Sequence, residues 1–99
     1  MNYIEEKKYL INKAINFMNG RDSVYLEDII GNTDYITLDY FGNKIECEAV
    51  GLEMFDNSPN EVFLRTYSEE YPDGAETDNL KYFSNDEIKK ILDLFGIEY

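Results

Sequence analysis

The segment YITLDYFGNKIECEA, residues 35 to 49, alternates apolar and polar positions at a period of two around a central Phe-Gly-Asn. It lies between two chain ends whose apolar residues recur at the helical period instead. A chain whose hydrophobic period changes from 3.6 to 2 and back again must combine helices with a half-buried sheet, so the pattern predicts an α+β domain. The expected order is helix, three- to four-stranded antiparallel sheet, helix, with both helices on one face of the sheet. At 99 residues the chain forms one domain, 1–99, with a single modest core.

The first helix is expected from about Tyr3 to Asn19. Tyr3, Ile4, Leu10, Ile11, Ala14, Ile15, Phe17 and Met18 share one arc at 100° per residue, and Gly20 is the natural stop. Lys7 falls inside that arc, where a long side chain can snorkel to water. The last helix is signalled more fully. Ser84 and Glu87 form a capping box, and Ile88, Ile91, Leu92 and Phe95 make the i, i+3, i+4, i+7 stripe. Gly96 ends this helix, and Ile97 stands where a Schellman motif folds an apolar residue back onto Leu92.

Between the helices, a type II′ loop at Gly42-Asn43 would place Tyr40 opposite Ile45, Asp39 opposite Glu46, Leu38 opposite Cys47, Thr37 opposite Glu48 and Ile36 opposite Ala49. Ile36, Leu38, Tyr40, Ile45, Cys47 and Ala49 then face the core, and Thr37, Asp39, Glu46 and Glu48 face out. The pairing of Asp39 with Glu46 sets like charges against each other. Gly51 marks an expected bulge where the alternation changes phase. A further strand is expected over residues 61–67, with Val62 and Leu64 inward. Residues 23–32 read equally as a short strand or a helical turn. The expected core includes Ile4, Ile11, Ile15, Ile36, Leu38, Ile45, Ile88, Ile91, Leu92 and Phe95.

Charge restricts function. The formal net charge is −12. Residues 22–79 carry fifteen acids against two bases, Lys44 and Arg65, so the whole excess lies in the middle of the chain. Nucleic acid and anionic membranes are polyanions that recruit Lys and Arg, so neither is the expected partner; a basic protein is. The chain has no histidine and one cysteine, Cys47, which removes Ser-His and Cys-His dyads, imidazole metal ligands and an internal disulfide. No run of about 18 apolar residues occurs, and the N-terminus has acids where a signal peptide has bases, so a cytoplasmic protein is expected.

Two carboxylate clusters remain, the hairpin and SEEYPDGAETDN, residues 68–79. DNSPNEVFLRTY places Glu61 and Tyr67 where a calcium-binding EF-hand loop requires Gly and Glu, and the second cluster lacks that spacing as well, so no metal or cofactor is expected. Asp39, Glu46 and Glu48 distantly resemble the acidic centres of metal-dependent nucleases, but no Lys accompanies them and an acidic chain repels the substrate; no enzymatic activity is expected. Carboxylates i and i+2 on a strand lie roughly 6.8 Å apart, a spacing comparable to neighbouring phosphates. The expected partner-binding residues are therefore Asp39, Glu46, Glu48, Glu69, Glu70, Tyr71, Asp73, Glu76 and Asp78. Tyr67 and Tyr71 add a side-chain type enriched in interfaces. The alternative is an assembly protein that binds through Tyr9, Tyr67, Tyr71 or a strand edge, homodimers included, with acidity serving solubility alone.

In size, acidity, lack of histidine and expected architecture the chain resembles the small acidic inhibitors that phages and mobile elements direct against host nucleases, including anti-CRISPR proteins and other DNA mimics. NLKYFSNDEIKKILDLF is also similar to the closing strand and helix of many short phage and gut-bacterial proteins. The first resemblance implies a non-enzymatic inhibitor that occupies a basic, nucleic-acid-binding site on a host nuclease or defence protein. It assigns no role to any particular residue.

Overall fold

A computed structural model describes residues 1–31, 35–69 and 74–99. Glu70, Tyr71 and Asp73, three of the expected partner-binding residues, lie outside the described residues. The fold is α+β. It runs α1 (Tyr3–Met18), β1 (Ser23–Tyr25), α2 (Leu26–Ile30), β2 (Ile36–Tyr40), β3 (Asn43–Cys47), β4 (Ala49–Phe55), β5 (Ser58–Tyr67), β6 (Ala75–Asn79), a 3₁₀ turn (Leu80–Tyr82) and α3 (Asn85–Leu94). The strands form an antiparallel sheet in the order β1-β4-β5-β6 and a separate two-stranded ribbon, β2-β3. The ambiguous segment proves to be a strand followed at once by a helix.

Both long helices begin and end as local chemistry dictates. Asn2 caps α1 by accepting from the Glu5 N–H at 2.8 Å, and Asn19 closes it in the left-handed region. In α3, Ser84 and Glu87 exchange hydrogen bonds, with the Glu87 carboxylate accepting from the Ser84 N–H at 2.8 Å. The Ile97 N–H bonds to the Leu92 carbonyl at 2.9 Å, and Ile97 is buried. The capping box and the Schellman fold-back are both present.

The core joins Leu10, Ala14 and Met18 of α1 to Val50 and Leu52 of β4, Val62 and Leu64 of β5, Leu80, Phe83 and the α3 stripe. Val62 and Leu64 face inward as expected. Ile11, Ile15 and Ile36 are only partly buried, and Ile4 is 67% exposed, contrary to its assignment to the core. Polar contacts explain Ile4. Ile4 stands in the first turn of α1, where the Asn85 amide donates to the Tyr3 carbonyl and to Glu6 Oε1, both at 3.0 Å, so this turn meets α3 through polar groups. Lys7 snorkels as expected, its Nζ donating to the Lys81 carbonyl at 3.0 Å.

The hairpin departs from expectation in register. Asp39 pairs with Lys44, Leu38 with Ile45, Thr37 with Glu46 and Ile36 with Cys47. The loop is Phe41-Gly42, both at positive φ (53° and 76°), which is the type I′ geometry. A phenylalanine in that region costs about 1–2 kcal/mol. Offsetting contacts are present, since the Phe41 ring packs on the buried Phe83 ring at 4.5 Å and its N–H donates to Glu87 Oε2 at 3.0 Å. Each residue's partner has moved by two positions, which preserves the pleat, so Leu38, Tyr40, Ile45 and Cys47 remain buried. The like-charge pair does not exist. Asp39 faces a lysine.

Within the second carboxylate cluster, residues 75–79 form β6, paired along β5. Gly51 is not bulged; it pairs with both Tyr25 and Arg65, and the irregularity lies between Glu53 and Phe55.

Candidate functional site

The chain leaves the ribbon at Cys47 and enters the large sheet at Ala49, so Glu48 bridges the two sheets. Its N–H donates to the Tyr67 carbonyl at 2.7 Å, which holds the end of β3 beside the end of β5. The Ser68 N–H is fixed in turn by the Gly74 carbonyl at 2.9 Å. This junction gathers Glu46, Glu48 and Glu69 around a depression of about 330 Å³, lined also by Ser68 and by Tyr35, which is 60% exposed. No base lines it. All three glutamates are exposed. Three carboxylates beside an open aromatic ring, Glu46 on β3 and Glu48 held by its hydrogen bond to Tyr67, can receive Lys or Arg side chains from a partner.

The other expected site residues do not join them. Asp39 lies toward the hairpin turn, opposite Lys44, and lines a different groove with Glu87 and Lys90. Register places Glu76 and Asp78 on the same face of β6 as their partners Thr66 and Leu64, which are buried. Both acids are half-buried at that sheet edge. Burial first, and the charge of Glu76 second, hold the Asp78 carboxyl above the ordinary carboxylate range. The continuous acidic face expected from the alternation is thus divided. One part is the Glu46-Glu48-Glu69 junction, and the other is a half-buried pair on β6. Among the described residues no group of three or more Asp, Glu or Cys side chains is placed to hold a metal ion. No helix among them is long and apolar enough to cross a membrane.

A second polar assembly went unforeseen in the sequence, on the opposite face of the large sheet. Arg65 Nη1 donates to Thr77 Oγ1 at 3.1 Å and lies 3.6 Å from Glu53 Oε1. Its guanidinium also covers the Tyr67 ring at 5.2 Å. The Tyr25 hydroxyl donates to Glu53 Oε2 at 3.4 Å. Burial, a hydrogen bond with Tyr67 and the Glu53 charge together push the Tyr25 phenol far above its ordinary pKa. Gly51 makes room for the cluster, since a Cβ there would lie 2.6 Å from the Tyr25 ring. The available signal was the isolated Arg65 in an acidic stretch, together with Gly51 at an inter-strand position. Tyr67 is half-buried beneath Arg65 as part of this cluster.

No protein family, curated protein or solved structure matches this chain.

Proposed function

We propose that the chain is a non-enzymatic cytoplasmic module that binds a basic protein, and that it occupies a partner's nucleic-acid-binding surface as an inhibitor would. The observation that carries this reading is the convergence of Glu46, Glu48 and Glu69 around exposed Tyr35 with no base among them. A groove that binds phosphates presents Lys and Arg, so clustered carboxylates can compete for it. Cys47 is fully buried and the chain contains no histidine, so neither a thiol nor an imidazole is presented at this surface. Asp39, on the hairpin, lines a different groove and is not part of this surface.

Reversing Glu46, Glu48 and Glu69 to Lys tests the reading. The change takes the net charge from −12 to −6 at exposed positions and should leave the fold intact or more stable. The wild-type chain should retain a basic nucleic-acid-binding protein from bacterial lysate at low salt and lose it at high salt. The triple variant should retain nothing. Equal retention by both chains would remove the acidic junction from the account.

One observation favours an assembly role instead. Tyr3, Ile4 and Tyr82 are 57%, 67% and 70% exposed. Lys7 lies over the Tyr3 ring and Lys81 over the Tyr82 ring, with Lys7 bonded to the Lys81 backbone, so the patch is continuous. Binding through it would be insensitive to salt and lost on Tyr82→Ser.

A further inference from the structure

Among the described residues, strand β2 pairs on one side only, with β3. Tyr40 and Asn43 close a two-residue loop and so form the hydrogen-bonded pair next to it. Alternation then turns the N–H and C=O groups of Leu38 and Ile36 toward β3 and those of Thr37 and Asp39 away from it. Among the described residues, neither Thr37 nor Asp39 makes a backbone bond on that outer side, and both are exposed. Beside this edge lies a groove of about 150 Å³ with Leu38, Ile91 and Leu94 in its wall and Asp39, Glu87 and Lys90 at its polar positions. An open strand edge therefore runs along an apolar helix face, with a gap between them.

We propose that β2 is a docking edge for an extended basic-apolar segment of a partner protein, which joins the ribbon as its third strand. The main chain of the segment pairs with Thr37 and Asp39. One aliphatic side chain enters the groove over Leu38, Ile91 and Leu94. The residue next to it in the segment falls on the opposite face of the pleat, beside Asp39, and is Lys or Arg. Backbone pairing supplies affinity and the alternate side chains supply selection, as in strand-addition complexes generally. A two-stranded ribbon is marginal alone, so a third strand is a favourable addition. Charge complementarity selects the occupant. The solvent face of the ribbon carries Asp39 and Glu46, and Asp39 has a cross-strand neighbour, Lys44, on one side only. A second copy of this chain would bring another net −12 to the same edge. The choice of a basic segment rests on the function proposed above; the open edge and the groove do not.

The test uses the full chain labelled with ¹⁵N and, as probe, a short capped peptide alternating Lys and Val, with a Thr-Val peptide as neutral control. At saturation the Thr37 and Asp39 amides should exchange with solvent about tenfold more slowly or better. Thr37→Pro should abolish the effect at Asp39 while leaving the circular dichroism unchanged, because an edge N–H that faces solvent is not needed in the ladder. Leu94→Glu, at a half-buried groove position, should also weaken binding at least about tenfold if the groove holds the aliphatic side chain. Saturating probe without protection at Thr37 and Asp39 would overturn the proposal, as would unchanged binding in both variants. Equal affinity for the neutral peptide would overturn the basic occupant. A concentration-dependent dimer that Thr37→Pro dissociates would assign the edge to a second copy and overturn it too. Glu48 and Glu69 lie outside both the groove and the paired strands of the ribbon, so reversing these two to Lys should leave edge protection in place. Wild-type capture without edge protection by the probe would overturn this inference alone, whereas capture unchanged by the reversals with edge protection in place would overturn the acidic-junction reading alone.

Discussion

Gly51→Ala is a single added methyl group whose effect can be worked from the structure. Gly51 lies between Tyr25 of β1 and Arg65 of β5, and its φ is not in the left-handed region, so backbone strain does not require glycine here. The requirement is space, since the new Cβ would lie 2.6 Å from Cδ1 and Cε1 of Tyr25, closer than any real contact. If the ring stays, the sheet must spread, and overpacking of this kind costs about 1–3 kcal/mol. If the ring swings out, it forfeits the bond to Glu53 and its packing on the Tyr67 ring 6.4 Å away. Those losses are about 0.5–1.5 kcal/mol each. Either route gives about 2 kcal/mol, which for a domain of this size lowers Tm by roughly 8–16 °C. The chain has no tryptophan, so thermal and urea unfolding are best followed by far-UV circular dichroism. The decisive comparison is the same substitution in a Tyr25→Ala background. With the ring gone the methyl group loses the Cδ1 and Cε1 clashes at 2.6 Å, and Ala is favoured over Gly in a strand by about 0.5–1 kcal/mol. The two substitutions should therefore show a coupling energy of about 2–3 kcal/mol. An equal cost with and without the Tyr25 ring would refute the steric argument, and no cost in either background would refute the close approach itself.

Glu87→Ala should destabilise the fold by about 1.5–3 kcal/mol, because one carboxylate accepts from the Ser84 N–H and from the Phe41 N–H. Burial raises its pKa, but these two hydrogen bonds outweigh burial and hold it below the ordinary carboxylate range. That stabilisation is fully present above the unfolded pKa and is lost as pH falls through the folded one, so wild type and variant should converge in acid, and a constant difference would refute the assignment. Asp78→Asn should act in the opposite sense. A carboxyl whose folded pKa is raised disfavours folding once pH has risen past that pKa, so the variant should melt a few degrees higher at neutral pH and lose the advantage in acid. A lower melting temperature at neutral pH would show that Asp78 makes a stabilising contact. The Glu46, Glu48 and Glu69 reversals should raise Tm while abolishing partner capture; a collapse of the fold would mean that the junction is structural.

The two long helices were legible because every signal for them is local. Asn19 and Gly20 close α1, and Ser84, Glu87, Gly96 and Ile97 act on their own helix within a few residues. The inward face of the ribbon was legible for a related reason, since a period of two survives any slip by two positions and Leu38, Tyr40, Ile45 and Cys47 stay buried in either register. The candidate site was legible in part. Glu46, Glu48 and Glu69 were singled out by charge, but neither their convergence nor the removal of Asp39, Glu76 and Asp78 to other surroundings could be read from spacing along one strand.

Tertiary structure decided the rest through contacts distant in the chain. Phe83 and Glu87, more than forty positions away, stabilise Phe41 in a left-handed conformation, and so select the loop, the register and the pairing of Asp39 with Lys44. The segment AETDN has little intrinsic preference for a strand, and becomes β6 because β5 offers an open ladder whose backbone bonds are indifferent to side-chain type. Ile4 is exposed because Asn85 meets that end of α1 with hydrogen bonds rather than apolar surface. Composition and period specify which elements form and which faces are apolar, since those follow from each residue's own chemistry. Which strand an element joins, and which carboxylates meet, depends on neighbours that only the folded chain supplies.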